Sequence, residues 1–335
     1  MKHINVALFV PDEGCPHRCS FCNQKTISGS VKKLTSEDVK MAVETALSSN
    51  KDTTEGEIAF FGGSFTAIER EYMVSLLESA KPYIDAGFFK GIRISTRPDC
   101  INEEVLSLLK EYGVTSIELG CQSMDDEVLR LNNRGHSAED VVSSAELIKK
   151  FGFELGVQMM TGLYGDSDEK AVETAEKLIA LKPQTARIYP TIVLQNTELE
   201  RLYKEGKYKA QTLSEALKLC SRLLLMFRNA DIPVIRLGLH SGGNVEEGYV
   251  AGAYHPAFRE KCESAVYLKL VYDEISEKNI QKGEIEITVG SKFVSQMIGQ
   301  GKENIEKLSE EGYKAKIIQN KDFKKYMIKV QGNTR

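Results

Sequence analysis

Short apolar runs alternate with longer polar-striped segments along the first two thirds of the chain. Residues 4–10, 57–61, 91–95, 115–120, 153–160 and 185–189 are runs of strand length, as expected of strands buried in a parallel sheet. Between them, residues 36–49, 70–80, 102–112, 138–151 and 168–181 carry apolar positions at helical spacing. Thr35 and Ser36 before Glu37 and Asp38, and Ser137 before Glu139 and Asp140, read as helix starts with acids in the first turn. Strand–helix units in series predict an α/β fold, a parallel sheet with right-handed crossovers curled into a partial (β/α)6 barrel like part of a TIM barrel. Chemistry then belongs in the loops at the carboxyl ends of the strands.

A helix over 210–229, an apolar run at 232–237 that reads as a further strand, and a Gly-rich stretch at 239–253 follow. Beyond Tyr254 the pattern changes. A helix over 257–278 leads to a strand at 284–289, helices at 292–298 and 302–311, and strands at 315–319 and 325–330. The expected division is a partial barrel over 1–240, a Gly-rich connection and linking helix over 241–282, and a small α+β domain over 283–335.

The 335 residues carry a formal net charge of -4, so an anionic partner must find a local basic patch. No stretch reaches the ~20 apolar residues of a membrane span and none reads as a secretory signal, so no membrane partner and a cytoplasmic location are expected. Of seven cysteines, Cys15, Cys19 and Cys22 are grouped, a pattern that suits a metal better than disulfides. Cys100, Cys121, Cys220 and Cys262 read as small buried or partly buried hydrophobes.

Cys15-Pro16-His17-Arg18-Cys19-Ser20-Phe21-Cys22 has C-x3-C-x2-C spacing directly after the first strand. Three thiolates can hold three irons of a [4Fe–4S] cluster and leave the fourth iron open to a small molecule. A structural zinc site using the same cysteines with His17 or a distant ligand is the rival. After the second strand, Gly62-Gly63-Ser64 offers bare backbone against which a ligand can lie. Glu118, on the fourth strand, needs a cationic partner if buried, and Arg93, Arg97 or Arg187 can supply it.

Over about residues 4–262 the chain resembles radical S-adenosylmethionine (SAM) proteins of the group containing the Elongator catalytic subunit and the oxygen-independent coproporphyrinogen oxidases. The resemblance is carried by the cysteine loop with its Phe21, by Ile94-Ser95-Thr96-Arg97-Pro98-Asp99, by Glu118-Leu119-Gly120-Cys121-Gln122-Ser123, by Gly162-Leu163 and by Ile188-Tyr189-Pro190-Thr191. Thr197-Glu198-Leu199, Tyr203, Gly206 and Tyr208 bring it nearer to Elongator. It implies one [4Fe–4S] cluster on Cys15, Cys19 and Cys22, and reductive cleavage of SAM to a 5′-deoxyadenosyl radical with electrons from a reductase or a flavodoxin- or ferredoxin-type donor. It further implies that Gly62, Gly63 and Ser64 meet the methionyl end of SAM, that Ser95 lies near its ribose or carboxylate, and that Gln122 and Arg134 contact it. Gln158 stands where the porphyrin enzymes carry an acid for the ribose. The Elongator subunit has wider cysteine spacing and a C-terminal acetyltransferase domain. Such a domain is not expected here, and uridine carboxymethylation is not implied.

From Glu284 onward, the predicted order of strand, two helices and two strands resembles the core of a KH domain, whose GxxG loop clamps single-stranded nucleic acid. Here Gly299-Gln300-Gly301-Lys302 forms that loop, with Lys302 in place of the second glycine. Three functions remain open on the sequence: a radical SAM enzyme modifying RNA, most simply tRNA; one acting on a tetrapyrrole-like small molecule or a peptide; and a zinc-bearing RNA-binding protein without catalysis.

Overall fold

The computed structural model describes residues 5–10, 15, 17–23, 26, 32–49, 52–239 and 243–332. In chain order the elements are β1 (Val6–Val10), α1 (Ser36–Ser48), β2 (Glu57–Gly62), α2 (Arg70–Asp85), β3 (Gly91–Thr96), α3 (Glu103–Glu111), β4 (Val114–Gln122), α4 (Asp126–Leu131), α5 (Ala138–Lys150), β5 (Glu154–Thr161), α6 (Asp168–Ala180) and β6 (Thr185–Pro190). Then come β7 (Ile192–Leu194), α7 (Glu198–Lys204), α8 (Leu213–Asn229), β8 (Val234–Leu237), α9 (Gly243–Gly248), β9 (Tyr249–Gly252) and α10 (Phe258–Glu277). The chain closes with β10 (Gly283–Gly290), α11 (Val294–Ile298), α12 (Glu303–Glu310), β11 (Tyr313–Asn320) and β12 (Ile328–Gly332).

Strands β1 to β6 follow one another in a parallel sheet that curls into a half-barrel, and β8 adds a seventh strand beside β6. Six strands were expected in the barrel, and the run at 232–237 supplies the extra one. Alternate positions such as Ile58, Phe60, Ile94, Ile117, Leu119, Leu155, Val157 and Ile188 are fully buried on one face, and positions between them turn to the other. That second face is polar: Glu57, Arg93, Ser95, Glu118, Gln158, Arg187 and Tyr189 lie on it, which makes the concave side a place for chemistry rather than a second apolar core.

The helix starts form as their cap chemistry requires. Thr35 and Asp38 exchange hydrogen bonds in a capping box, as do Ser137 with Asp140 and Thr212 with Glu215. Each such cap is worth about 1 kcal/mol. Helix α2 runs five residues past its expected end at Ala80 and includes Pro82. The buried face formed by Met73, Leu76, Leu77 and Ala80 carries the helix through the missing N–H.

In the C-terminal sheet, β10 lies between β11, parallel to it, and β12, antiparallel to it. Strand β12 begins at Ile328 rather than at 325, because Tyr326 takes a φ of 61° and Met327 N–H closes a turn onto Lys324 O at 3.0 Å. Ile285, Ile287, Val289, Met297, Leu308 and Val330 belong to the same apolar cluster as Val266, Tyr267, Val271 and Ile275 of α10 and Phe227 of α8. Arg259 donates to Val234 O and Ile235 O, both at 3.0 Å, along the free edge of β8. Glu274 accepts from Val330 N–H at 3.2 Å, and Lys278 donates to Val330 O at 3.3 Å, along the free edge of β12.

Candidate active site

A row of buried charges crosses the concave face. Arg93 Nε donates to Glu57 at 2.6 Å and its Nη1 to Glu118 at 3.3 Å, while Arg187 Nη2 donates to Glu118 at 2.7 Å. Two of the three partners expected for Glu118 are therefore the ones it has; Arg97 turns to Asp99 instead, through two bonds of 2.9 Å. Arg187 also lies over the Phe61 ring, 4.7 Å from its centroid. Burial works against the charge on Arg187, but Glu118 and Tyr189 outweigh it and hold its pKa above the ordinary guanidinium range.

Along the mouth of the barrel, the turn that follows α4 runs beside the cysteine loop residue by residue. Ser20 Oγ donates to Asn132 Oδ1 at 2.7 Å, and Ser20 N–H to Asn132 O at 3.1 Å. Arg134 Nη1 donates to Cys19 Sγ at 3.2 Å. At Gly135, whose φ is +72°, a Cβ would sit 2.2 Å from the His17 ring. On its other side the loop is held by Leu199 N–H, which donates to Ser20 O at 2.8 Å, and by Asn23, whose amide donates to Gln195 O at 2.8 Å. Phe21 packs against an apolar cluster of Val193, Leu199, Leu202 and Tyr208. The elements after β6 thus brace the cysteine loop.

Gly120 is the meeting point of the remaining candidates. Arg134 Nη2 donates to Gly120 O at 2.6 Å, and a Cβ on Gly120 would lie 3.1 Å from the Gln122 amide nitrogen. Gln122 takes a φ of 66° and accepts from Gln158 Nε2 at 3.3 Å. Ser64 joins through a chain: its hydroxyl meets Thr96 Oγ1 at 2.9 Å and accepts from Arg97 N–H at 3.2 Å, and Arg97 Nη2 in turn donates to Arg134 O. Cys19, Ser64, Gln122, Arg134 and Gln158 therefore form one connected constellation. Ser95 stands apart, on Glu118 at 3.5 Å. Gly62 has a structural duty of its own, since a Cβ there would lie 2.4 Å from Val10 O and 2.6 Å from the Phe9 ring. Gly63 is buried and donates to Val10 O at 3.1 Å.

Among the described residues, no three His, Cys, Asp or Glu side chains are disposed around one metal position. The fit to a cluster and SAM rests on other features. Cys15, Cys19 and Cys22 are partly exposed soft donors on one loop. Beside them, Arg97 Nη1 and Arg134 Nε are buried donors with no partner among the described residues, and a buried cationic donor suits an anionic ligand. Cys121 and Cys220, by contrast, are fully buried with thiols pushed up to about 12 by burial, and burial pushes Cys262 up as well. Cys100 is only half-buried, in the loop after β3. Ser20, Asn132 and His136 carry no sequence signal that marks them as site residues, and the sequence points to Arg97 as a partner for Glu118. A further signal for Arg97 is its place in Ile94-Ser95-Thr96-Arg97-Pro98-Asp99, at the end of β3.

In the C-terminal sheet's helical loop, Gly299, Gly301 and Lys302 have φ values of 80°, 62° and 70°. Gly301 and Lys302 are exposed, and Asn304 anchors the loop by donating to Ser264 O and Met297 O, both at 2.9 Å.

Residues 183–267 match the radical SAM C-terminal domain. An uncharacterised protein of Methanocaldococcus jannaschii is 32% identical over 60% of this chain and 65% of its own length. The tRNA uridine(34) acetyltransferase of the same organism is 27% identical over 64% of this chain and 47% of its own length. Elongator complex protein 3 of Homo sapiens is 30% identical, with coverages of 56% and 40%. The chain thus spans 40% to 65% of the length of these relatives. In fold it is similar to the N-terminally deleted Elp3 of Methanocaldococcus infernus, with a TM-score of 0.61 and 22% identity over 84% of this chain and 65% of that one. Residues 10–178, which contain the cysteine loop, Gly120 and the turn that joins them, match the Radical SAM superfamily, and the chain belongs to it.

Proposed function

We propose that this radical SAM enzyme carries one [4Fe–4S] cluster on Cys15, Cys19 and Cys22 and acts on RNA, most simply tRNA, in the cytoplasm. The observation that carries the reading is the convergence of Cys19, Arg134, Gln122 and Gln158 around the bare backbone of Gly120 at the carboxyl ends of the strands. When bound, the cluster and SAM supply a 5′-deoxyadenosyl radical after one-electron reduction, with electrons from a reductase or a flavodoxin- or ferredoxin-type donor. The chain's own work is placement. Gly63 and Ser64 border the methionyl end of SAM, Gln122 and Gln158 offer amides to its polar groups, and Arg134 Nε remains for a carboxylate. The row from Glu57 to Arg187 pairs the charges on the floor of the barrel with one another, so that none of them is left uncompensated where the substrate would lie.

RNA as substrate is supported by the relatives named as tRNA uridine(34) acetyltransferases and by the exposed loop Gly299 to Lys302, which is suited to a phosphate backbone. Anaerobically reconstituted protein, reduced in the presence of SAM and total tRNA, is expected to form 5′-deoxyadenosine and to alter a nucleoside seen by mass spectrometry. Comparison of modified nucleosides and metabolites between a deletion strain and its parent separates RNA from a small molecule. A change confined to metabolites would overturn the RNA reading and leave the radical chemistry standing. Zinc in place of iron in protein purified without oxygen would overturn both.

A further inference from the structure

Arg134 is 94% buried, yet among the described residues no carboxylate pairs with it. A buried guanidinium needs an anion, because leaving its charge uncompensated is costly. The contacts it makes are with Gly120 O at 2.6 Å and the sulfur of Cys19 at 3.2 Å. Three features fix it there. The turn that carries it is tied to the cysteine loop one residue further on, through Asn132 and Ser20. Its own carbonyl is held by Arg97. Arg97 in turn is fixed by Asp99, through two bonds of 2.9 Å, and by Ser64, through its backbone N–H. The guanidinium therefore addresses the loop sulfur before any small molecule enters.

Resting on the reading that Cys19 is a cluster ligand, we infer that Arg134 is a positioning residue of the cluster itself. It donates to the Cys19 thiolate sulfur, holds that ligand in place, and raises the cluster's affinity for an electron in the absence of SAM. Hydrogen bonds to the sulfurs, net charge and burial are the levers that set iron–sulfur potentials, and partners of a ligand beyond the metal tune it. A cation and an N–H···S bond both favour the reduced, more negative state, and a water-poor site strengthens both. Arg97 contributes by holding Arg134, since its own charge is offset by Asp99.

The test is a redox titration of the reconstituted protein without SAM, followed by electron paramagnetic resonance, alongside iron content and SAM affinity. Arg134→Gln is expected to bind iron and to disfavour reduction about tenfold, about 59 mV for a one-electron couple. Arg134→Lys keeps the charge but cannot span both contacts, so a smaller drop is expected. A wild-type potential in Arg134→Gln, with only SAM affinity reduced, would overturn the inference and leave Arg134 as a SAM ligand alone. Should Arg134→Gln fold but take up no iron, Arg134→Lys and Arg97→Gln decide: a lowered potential in either supports the inference, and wild-type values in both overturn it. Failure of the wild-type protein to bind iron at all is a different result, which removes the cluster reading and this inference with it.

Discussion

Ser20 and Asn132, 112 residues apart in sequence, are both fully buried and joined by two hydrogen bonds. Asn132 spends its remaining capacity on Val128 O, Tyr164 O and Tyr164 N–H, so every polar group of its side chain is used. Removing it leaves several buried groups without partners, each worth about 1–3 kcal/mol. Ser20→Ala removes one bond and should cost about 1 kcal/mol, whereas Asn132→Ala should cost several times more and also lower iron uptake. Chemical denaturation read beside iron content checks this. Equal stability in the two variants would show that the pair is incidental.

The cysteines divide by setting. Cys15→Ala, Cys19→Ala and Cys22→Ala should each abolish iron binding and 5′-deoxyadenosine formation, since Cys121, Cys220 and Cys262 are locked in the core. Alanine at those three, or at Cys100, should leave iron nearly intact. Metal and sulfide analysis after anaerobic reconstitution is the measurement, and a full complement in Cys19→Ala would refute the ligand assignment.

His136 gives a pH prediction. Burial, with Arg134 nearby, pushes its pKa down to about 4 from an ordinary 6.5, and its ring contacts Cys121 O at 3.2 Å. The unfolded chain therefore takes up a proton that the folded one refuses. The contribution is fully present above about 6.5 and lost as pH falls towards 4, on the order of 3 kcal/mol in all. Asp166 opposes it, because burial raises its carboxyl to about 6 and the folded state gains on acidification there. The difference between wild type and His136→Gln isolates the histidine: denaturation midpoints should converge as the buffer goes from pH 7.5 to 5. Parallel pH profiles would reject the assignment.

Lys302 separates backbone from charge. Its φ of 70° strains any residue but glycine, so Lys302→Gly should stabilise the chain by roughly 0.5–1 kcal/mol. Lys302→Asp, by contrast, should weaken single-stranded RNA binding and reduce its salt dependence by about one phosphate contact. Identical affinity in wild type and Lys302→Asp at low salt would remove this loop from RNA recognition.

What the sequence made legible was local. Thr35 and Ser137 cap helices through neighbours three residues away, and buried strands announce themselves by composition, whereas the helix expected from 210 starts only at Leu213, after the cap at Thr212. The pairing of β7 with β9, the bond from Arg134 to Cys19 across 115 residues, and the hold of Arg97 on Arg134 depend on chain closure that no local pattern encodes. Gly62 shows a subtler limit. A glycine beside a ligand and a glycine under a neighbouring strand look alike in sequence, and here the space is taken by Val10 and Phe9. Lys325 stands in a run whose composition favours a strand, but its ammonium donates to Glu263 at 2.7 Å and the strand starts three residues later.

The contacts of α10 along β8 and β12 carry a consequence for how the chain can be cut. Unpaired strand edges recruit other chains, and one helical segment blocks two of them, with Arg259 at one end and Glu274 and Lys278 at the other. A fragment ending before β10 would also uncover Tyr267, which is fully buried and packs against Tyr326 with its hydroxyl accepting from Tyr326 N–H at 2.9 Å. Such a fragment should self-associate rather than report on RNA, and the intact chain should melt in a single cooperative transition, with the two sheets sharing one fate.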